Sequence, residues 1–144
     1  MVNERTLTVP GRYENLARIS DFITQVARDA GFDEDDVFHI QMAVDEACSN
    51  IIEHAYGQAG DGDIDLLCRV AENGDLVVEI RDHGQPFDPD QVPFPKIEGD
   101  NVDLESMKVG GLGLFFMRKL MDEVNFRFDP GAGNHLTMVK RRPR

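Results

Sequence analysis

Apolar positions along this chain change period several times, and each change marks a new element. "RTLTV" (5–9) reads as a short strand closed by Pro10-Gly11. Residues 13–30 then place Leu16, Ile19, Ile23, Val26 and Ala30 at helical spacing, and Gly31 stops that helix. The acidic run Asp33–Asp36 follows. Clustered carboxylates favour a helix N-terminus through capping and the helix dipole, so the run opens a second helix and implies no catalysis. That helix carries the stripe Ile40, Ala43, Val44, Ala47 and Ile51 to about Tyr56, with Gly57 as its C-cap.

Period two then takes over. In "DIDLLCRV" Ile64, Leu66, Cys68 and Val70 share one face; in "DLVVEIRD" Leu76, Val78, Ile80 and Asp82 do. A two-residue Asn-Gly turn between them pairs Val70 with Val77 and puts the apolar faces out of step. A three-residue loop ending in Gly74 as a bulge pairs Val70 with Leu76 and aligns them, so that turn is predicted. Residues 83–110 lose periodicity and gain Pro86, Pro89, Pro93, Pro95 and Gly99. Such a long irregular stretch inside a domain is either disordered or a functional lid. "GGLGLFFMRKLMDEV" (110–124) resumes with glycines and a short apolar helix. Two last strands, near 124–128 and 135–141, flank "DPGAGN". No internal repeat or interdomain linker interrupts residues 1–144, which read as one domain.

Composition narrows the class. At 144 residues, 41% hydrophobic and 29% charged, the chain is ordinary for a globular domain with a real core. No apolar run approaches the roughly 20 residues that span a bilayer, and "MVNERTLTV" lacks the apolar stretch of a signal peptide, so the cytoplasm is expected. Cys48 and Cys68 have no CxxC spacing and read as small core residues. A net charge of −12 argues against nucleic acid as a direct partner. The basic end "KRRPR" (140–144) reads as a solvated tail.

Three places carry chemistry. In "DEACSNIIEHAYG" (45–57) Glu46, Asn50 and His54 follow at i, i+4 steps, stacking polar groups along one helix ridge beside the apolar stripe. The ridge is either a hydrogen-bonded seam or a wall of a site. Asn50 offers a carbonyl oxygen that suits Mg²⁺, Glu46 could orient or deprotonate a nucleophile, and His54 reads as structural. Asp82 brings a carboxylate onto a buried strand face, which is costly without a donor. With Gly84 it suggests an acceptor at a pocket floor, suited to an exocyclic amine; a loop cap fits the spacing equally well. Gly110, Gly111 and Gly113 precede a helix, where bare backbone amides bind anions, although flexible loops also use glycine.

The ordered set "DEACSNIIEHAYG", "EIRDHGQPFDP" and "GGLGLFFMRKLMDEV" resembles the N, G1 and G2 boxes of the GHKL (Bergerat-fold) ATPases, nearest the bacterial anti-sigma factor serine kinases. The resemblance spans essentially the whole chain. It implies an α/β (α+β) two-layer sandwich, a mixed and mostly antiparallel sheet with helices on one face, and an ATP lid at about 88–109. By position it makes Glu46 the general base, Asn50 the Mg²⁺ ligand and Asp82 the reader of the adenine amine, with Gly84 beside it. Lys108, Gly110, Gly111, Gly113 and Leu114 fall at the nucleotide's phosphates. It implies ATP/ADP and Mg²⁺ as cofactors, a serine on a STAS-domain anti-anti-sigma protein as substrate, a sigma factor or other regulator as bound partner, and a homodimer. A nucleotide-gated binding module without useful transfer is the alternative. Two departures stand out: "MKVGG" offers Lys108 where several relatives carry a lid arginine, and "GAGNHLT" alters the final glycine–threonine motif, leaving Asn134 or Thr137 in its place.

Overall fold

Five strands form one sheet in the order β1-β2-β3-β7-β6, comprising β1 (Asn3–Pro10), β2 (Asp63–Val70), β3 (Leu76–Asp82), β6 (Glu123–Asp129) and β7 (Gly133–Lys140). The computed structural model describes residues 3–55, 62–85, 97–98, 101–102 and 111–143. Among the described residues three α-helices accompany the sheet: α1 (Leu16–Asp29), α2 (Glu34–Asn50) and α3 (Gly111–Leu120), with α2 packed against both others. Every described pairing is antiparallel, so the sheet is not the mixed one that the resemblance implied. The reason is local: β2–β3 and β6–β7 are hairpins, and β7 enters beside β3 running the opposite way. A further pair, β4 (Ile97–Glu98) and β5 (Asn101–Val102), forms a small ladder of its own within the stretch expected to be irregular. Among the described residues no helix is long and apolar enough to cross a membrane.

The β2–β3 register is the one that the apolar faces demanded. Val70 pairs with Leu76, and Gly74 takes φ +93°, a left-handed conformation that glycine adopts without steric cost. Alternation therefore lines one face with Ile64, Leu66, Cys68, Leu76, Val78 and Ile80, all essentially inaccessible. Ile19 and Ile23 of α1 and Ile40 and Val44 of α2 close over them. Each such side chain contributes roughly 1.5–3 kcal/mol by leaving water. The opposite face keeps Thr6, Thr8, Arg69, Arg81 and Arg127 exposed.

Caps and ties fix where the helices start and stop. Asp33 accepts the Asp36 N–H at 2.8 Å, the N-cap expected of the acidic run. Regular α geometry ends at Asn50 and passes into a π turn, Ile51–Ala55; the expected continuation to Tyr56 and Gly57 lies outside the described residues. Residues 141–143 of the basic end are exposed, yet the segment is tied down. Lys140 donates to the Leu120 carbonyl at the C-terminus of α3 (2.8 Å), Arg141 N–H to Asp122 (2.6 Å), and Arg142 N–H to the buried Asp75 (2.9 Å). Both cysteines are buried and reduced, and burial pushes the Cys68 thiol up to about 12.

Candidate nucleotide site

Asp82 ends β3, where alternation from Leu76, Val78 and Ile80 turns its carboxylate inward; the residue is 3% exposed. Two donors meet it. The Gly84 N–H donates to Oδ1 at 2.9 Å as the chain turns away, and Asn134 Nδ2 donates to the same oxygen at 2.9 Å. The second Asn134 amide proton goes to the Gln85 carbonyl at 2.8 Å. Among the described residues no donor reaches Oδ2. The two roles left open for Asp82 thus divide between its oxygens: Oδ1 caps the loop, and Oδ2 remains as an acceptor. Burial pushes the carboxyl pKa up, while the Asn134 and Gly84 bonds and the nearby His83 and His135 oppose that rise.

Asn134 is the residue that sequence reasoning undervalued. Only half of the signal was local: alternation with the apolar Leu136 and Met138 places Asn134 on their face, while its position opposite Asp82 comes from the β3–β7 register. Gly133 beside it has φ +88°, and a Cβ there would lie 2.2 Å from the Asp82 carbonyl oxygen. Only glycine lets β7 approach so closely.

Glu46 and Asn50 occupy one flank of α2, half-buried and one turn apart. Asn50 follows Gln41 by nine residues, about 180° around the helix. Gln41 faces α1, where its amide donates to Ser20 Oγ at 2.6 Å, so the ridge looks away from α1. Charge accumulates here. Burial raises the Glu46 carboxyl, and Glu53 raises it further. Asp45, whose buried Oδ1 has no hydrogen-bond partner among the described residues, is pushed up to about 6 by burial and then by Glu46. His54 falls in the π turn, where i, i+4 spacing no longer applies, and its side chain lies outside the described residues.

The third element is α3. It begins at Gly111, so the first N–H groups of the helix, including those of Gly111 and Gly113, lack intrahelical acceptors. Leu114 is 3% exposed, and its side chain belongs to the core. Lys108 and Gly110 lie outside the described residues. Among the described residues no three His, Cys, Asp or Glu side chains gather as a cation site. An Mg²⁺ carried by phosphates needs few protein ligands, and the Asn50 carbonyl with the crowded carboxylates nearby suits it. The donor set as a whole fits a nucleotide: an acceptor for an amine at one end, free amides for an anion at the other.

Comparison with known proteins agrees. Residues 9–140 match the family model described as histidine kinase-like ATPase domain. The serine-protein kinase RsbW of Listeria innocua is 34% identical over 142 residues, covering 95% of this chain and 87% of that protein. Its counterpart in Halalkalibacterium halodurans is 33% identical over 128 residues, covering 88% and 76%. Among solved structures, the RsbU and RsbW domains of a Mycobacterium tuberculosis protein share the fold at a TM-score of 0.69 and 19% identity; the match covers 98% of this chain and 33% of that one.

Proposed function

The chain belongs to the histidine kinase-like ATPase domain family, among the relatives of the RsbW serine-protein kinases, and from that premise we propose that it is itself an ATP-dependent serine-protein kinase of a partner-switching system. Its substrate is a serine on a STAS-domain anti-anti-sigma protein, and in its other state it sequesters a sigma factor or similar regulator. Residues 1–144 act as one nucleotide-binding domain in the cytoplasm, with about 88–109 as lid and a homodimer as the working form.

The observation that carries this reading is the pairing of a buried amine acceptor, Asp82, with a carboxylate–amide ridge, Glu46 and Asn50. ATP with Mg²⁺ supplies the activated phosphoryl group. Asp82 Oδ2 accepts from the adenine amine, and Gly84 keeps side-chain atoms away from the base. Asn50 holds the metal through its carbonyl oxygen. The amides of Gly110, Gly111, Gly113 and Leu114 steady the phosphates, and Lys108 adds positive charge. Glu46, made more basic by burial and then by Glu53, accepts the proton of the serine hydroxyl. Catalysis of this kind rests on positioning and electrostatics.

The test is phosphoryl transfer from γ-labelled ATP with Mg²⁺ into a phosphatase-treated lysate of the source organism, with Glu46→Ala as control. One small labelled protein that vanishes in the control is the expected result, and mass spectrometry then identifies it. No labelled band, with ATP binding intact, overturns the kinase reading in favour of a nucleotide-gated binding module.

A further inference from the structure

We infer that Asn134 is a positioning residue for base recognition: it saturates Oδ1 of Asp82 so that Oδ2 alone, at a fixed angle, reads the exocyclic amine of the nucleotide. The inference deepens the proposed nucleotide site and rests on that reading.

Four observations converge on it. Asn134 spends both amide protons at this spot, one on Asp82 Oδ1 (2.9 Å) and one on the Gln85 carbonyl (2.8 Å). It therefore ties the last carboxylate of β3 and the loop leaving β3 to a single side chain. The Gly84 N–H reaches the same oxygen from the other direction, so Asp82 cannot rotate without breaking two bonds. Gly133, whose missing Cβ admits the Asp82 carbonyl, brings Asn134 close enough to do this. Finally, Asp82 and Asn134 are directly paired across β3 and β7. A helix or loop could not hold the pair as rigidly as two hydrogen-bonded strands do.

The chemistry follows from satisfying polar groups. A carboxylate with both oxygens free would rotate and accept equally from water and from many donors. With Oδ1 occupied twice, the remaining acceptor points one way, and a ligand lacking the amine leaves it unpaired. Leaving a buried acceptor unpaired is what gives such sites their discrimination. The side chain does not touch the base in this account. It acts through Asp82.

Binding of two nucleotides tests it: ATP, and the triphosphate of purine riboside, which lacks only the 6-amine. Asn134→Val removes both donors, and Asn134→Thr restores one hydroxyl on the same branched frame; both residues suit a strand. The wild type is expected to prefer ATP by about tenfold or more. Asn134→Val should weaken ATP by about tenfold while moving the analogue less than about twofold, and Asn134→Thr should recover most of the preference. Equal losses for both nucleotides, or an unchanged ATP affinity, overturn the role of Asn134. If the wild type itself binds the two nucleotides equally, the adenine reading of Asp82 fails first, which separates the two failures. Should either variant melt below the assay temperature, Asn134→Ala and Asn134→Ser make the same one-hydroxyl comparison.

Discussion

The two ends of the site are built on different physical terms. At the sheet end, Asp82 is buried, bonded twice and held between paired strands, and a glycine lets the backbones touch. At the helix end, Glu46 and Asn50 stand half-buried where α2 gives way to a π turn, and burial, then a neighbouring carboxylate in each case, raises the carboxyls of Asp45 and Glu46. At the first end the protein itself satisfies Oδ1 and leaves Oδ2 as the open acceptor among the described residues. The second gathers negative charge that a cation would relieve. On the proposed function, a site divided this way would read the base with a rigid surface and do its chemistry where the free energy is unsettled.

The division is sharp enough to break. The largest effect belongs to Glu46→Gln. Loss of the base should slow phosphoryl transfer by about 10²–10⁴-fold while ATP affinity, measured by titration calorimetry, stays within about twofold. The wild-type rate should also fall as pH drops through the raised Glu46 carboxyl range, because the base must be ionised. A large loss of ATP binding in this variant would merge the two ends into one.

Next comes Gly133→Ala. The added methyl meets the Asp82 carbonyl, and the positive φ strains any other residue, so about 3 kcal/mol of stability should be lost, or about 10 °C in thermal melting. Asp82→Asn follows. The Asn134 and Gly84 donors still hold the carbonyl oxygen, which turns the new amide towards the ligand. ATP should bind about 30-fold more weakly, and inosine triphosphate, which presents an oxygen in place of the amine, should gain on it. A variant that weakens both nucleotides alike would show that Asp82 supports the loop only.

The smallest effect lies at the helix end. The Asp45 carboxyl sits near 6 in the folded protein against an ordinary 3.8, so the native state holds this proton more tightly than the unfolded chain. Its ionisation therefore opposes folding at neutral pH, and the penalty disappears as pH falls below about 4. Asp45→Asn should stabilise the protein by about 1 kcal/mol at pH 7.5, a figure reduced for its half exposure, with the gain fading towards pH 4. A melting curve at each pH decides it.

How much of this was legible depends on the scale of the interaction. The hairpin register was, because only one turn keeps two apolar faces aligned, and Gly74 supplied the turn. The Asp33 cap and the inward carboxylate of Asp82 were legible for the same reason: local period and local chemistry determine them. What escaped is non-local. Nothing near Asn134 in sequence says that it meets Asp82, 52 residues away, since that contact depends on which strand β7 joins. The C-terminal basic run reads as a solvated tail because its partners, Asp75 and Asp122, belong to other elements. The π turn after Asn50 was also hidden, because an i+4 ridge and a ridge that slips by one residue look alike in letters.

The place of β7 has a consequence for how the protein is made. Of the described elements it emerges last from the ribosome, yet it lies between β3 and β6. Until it arrives, β3 presents an open edge, and such edges recruit other strands. Asp82 waits without Asn134 for the same interval. A nascent chain that stops before β7 would therefore lack the Asp82–Asn134 pair and leave β3 unpaired on that side.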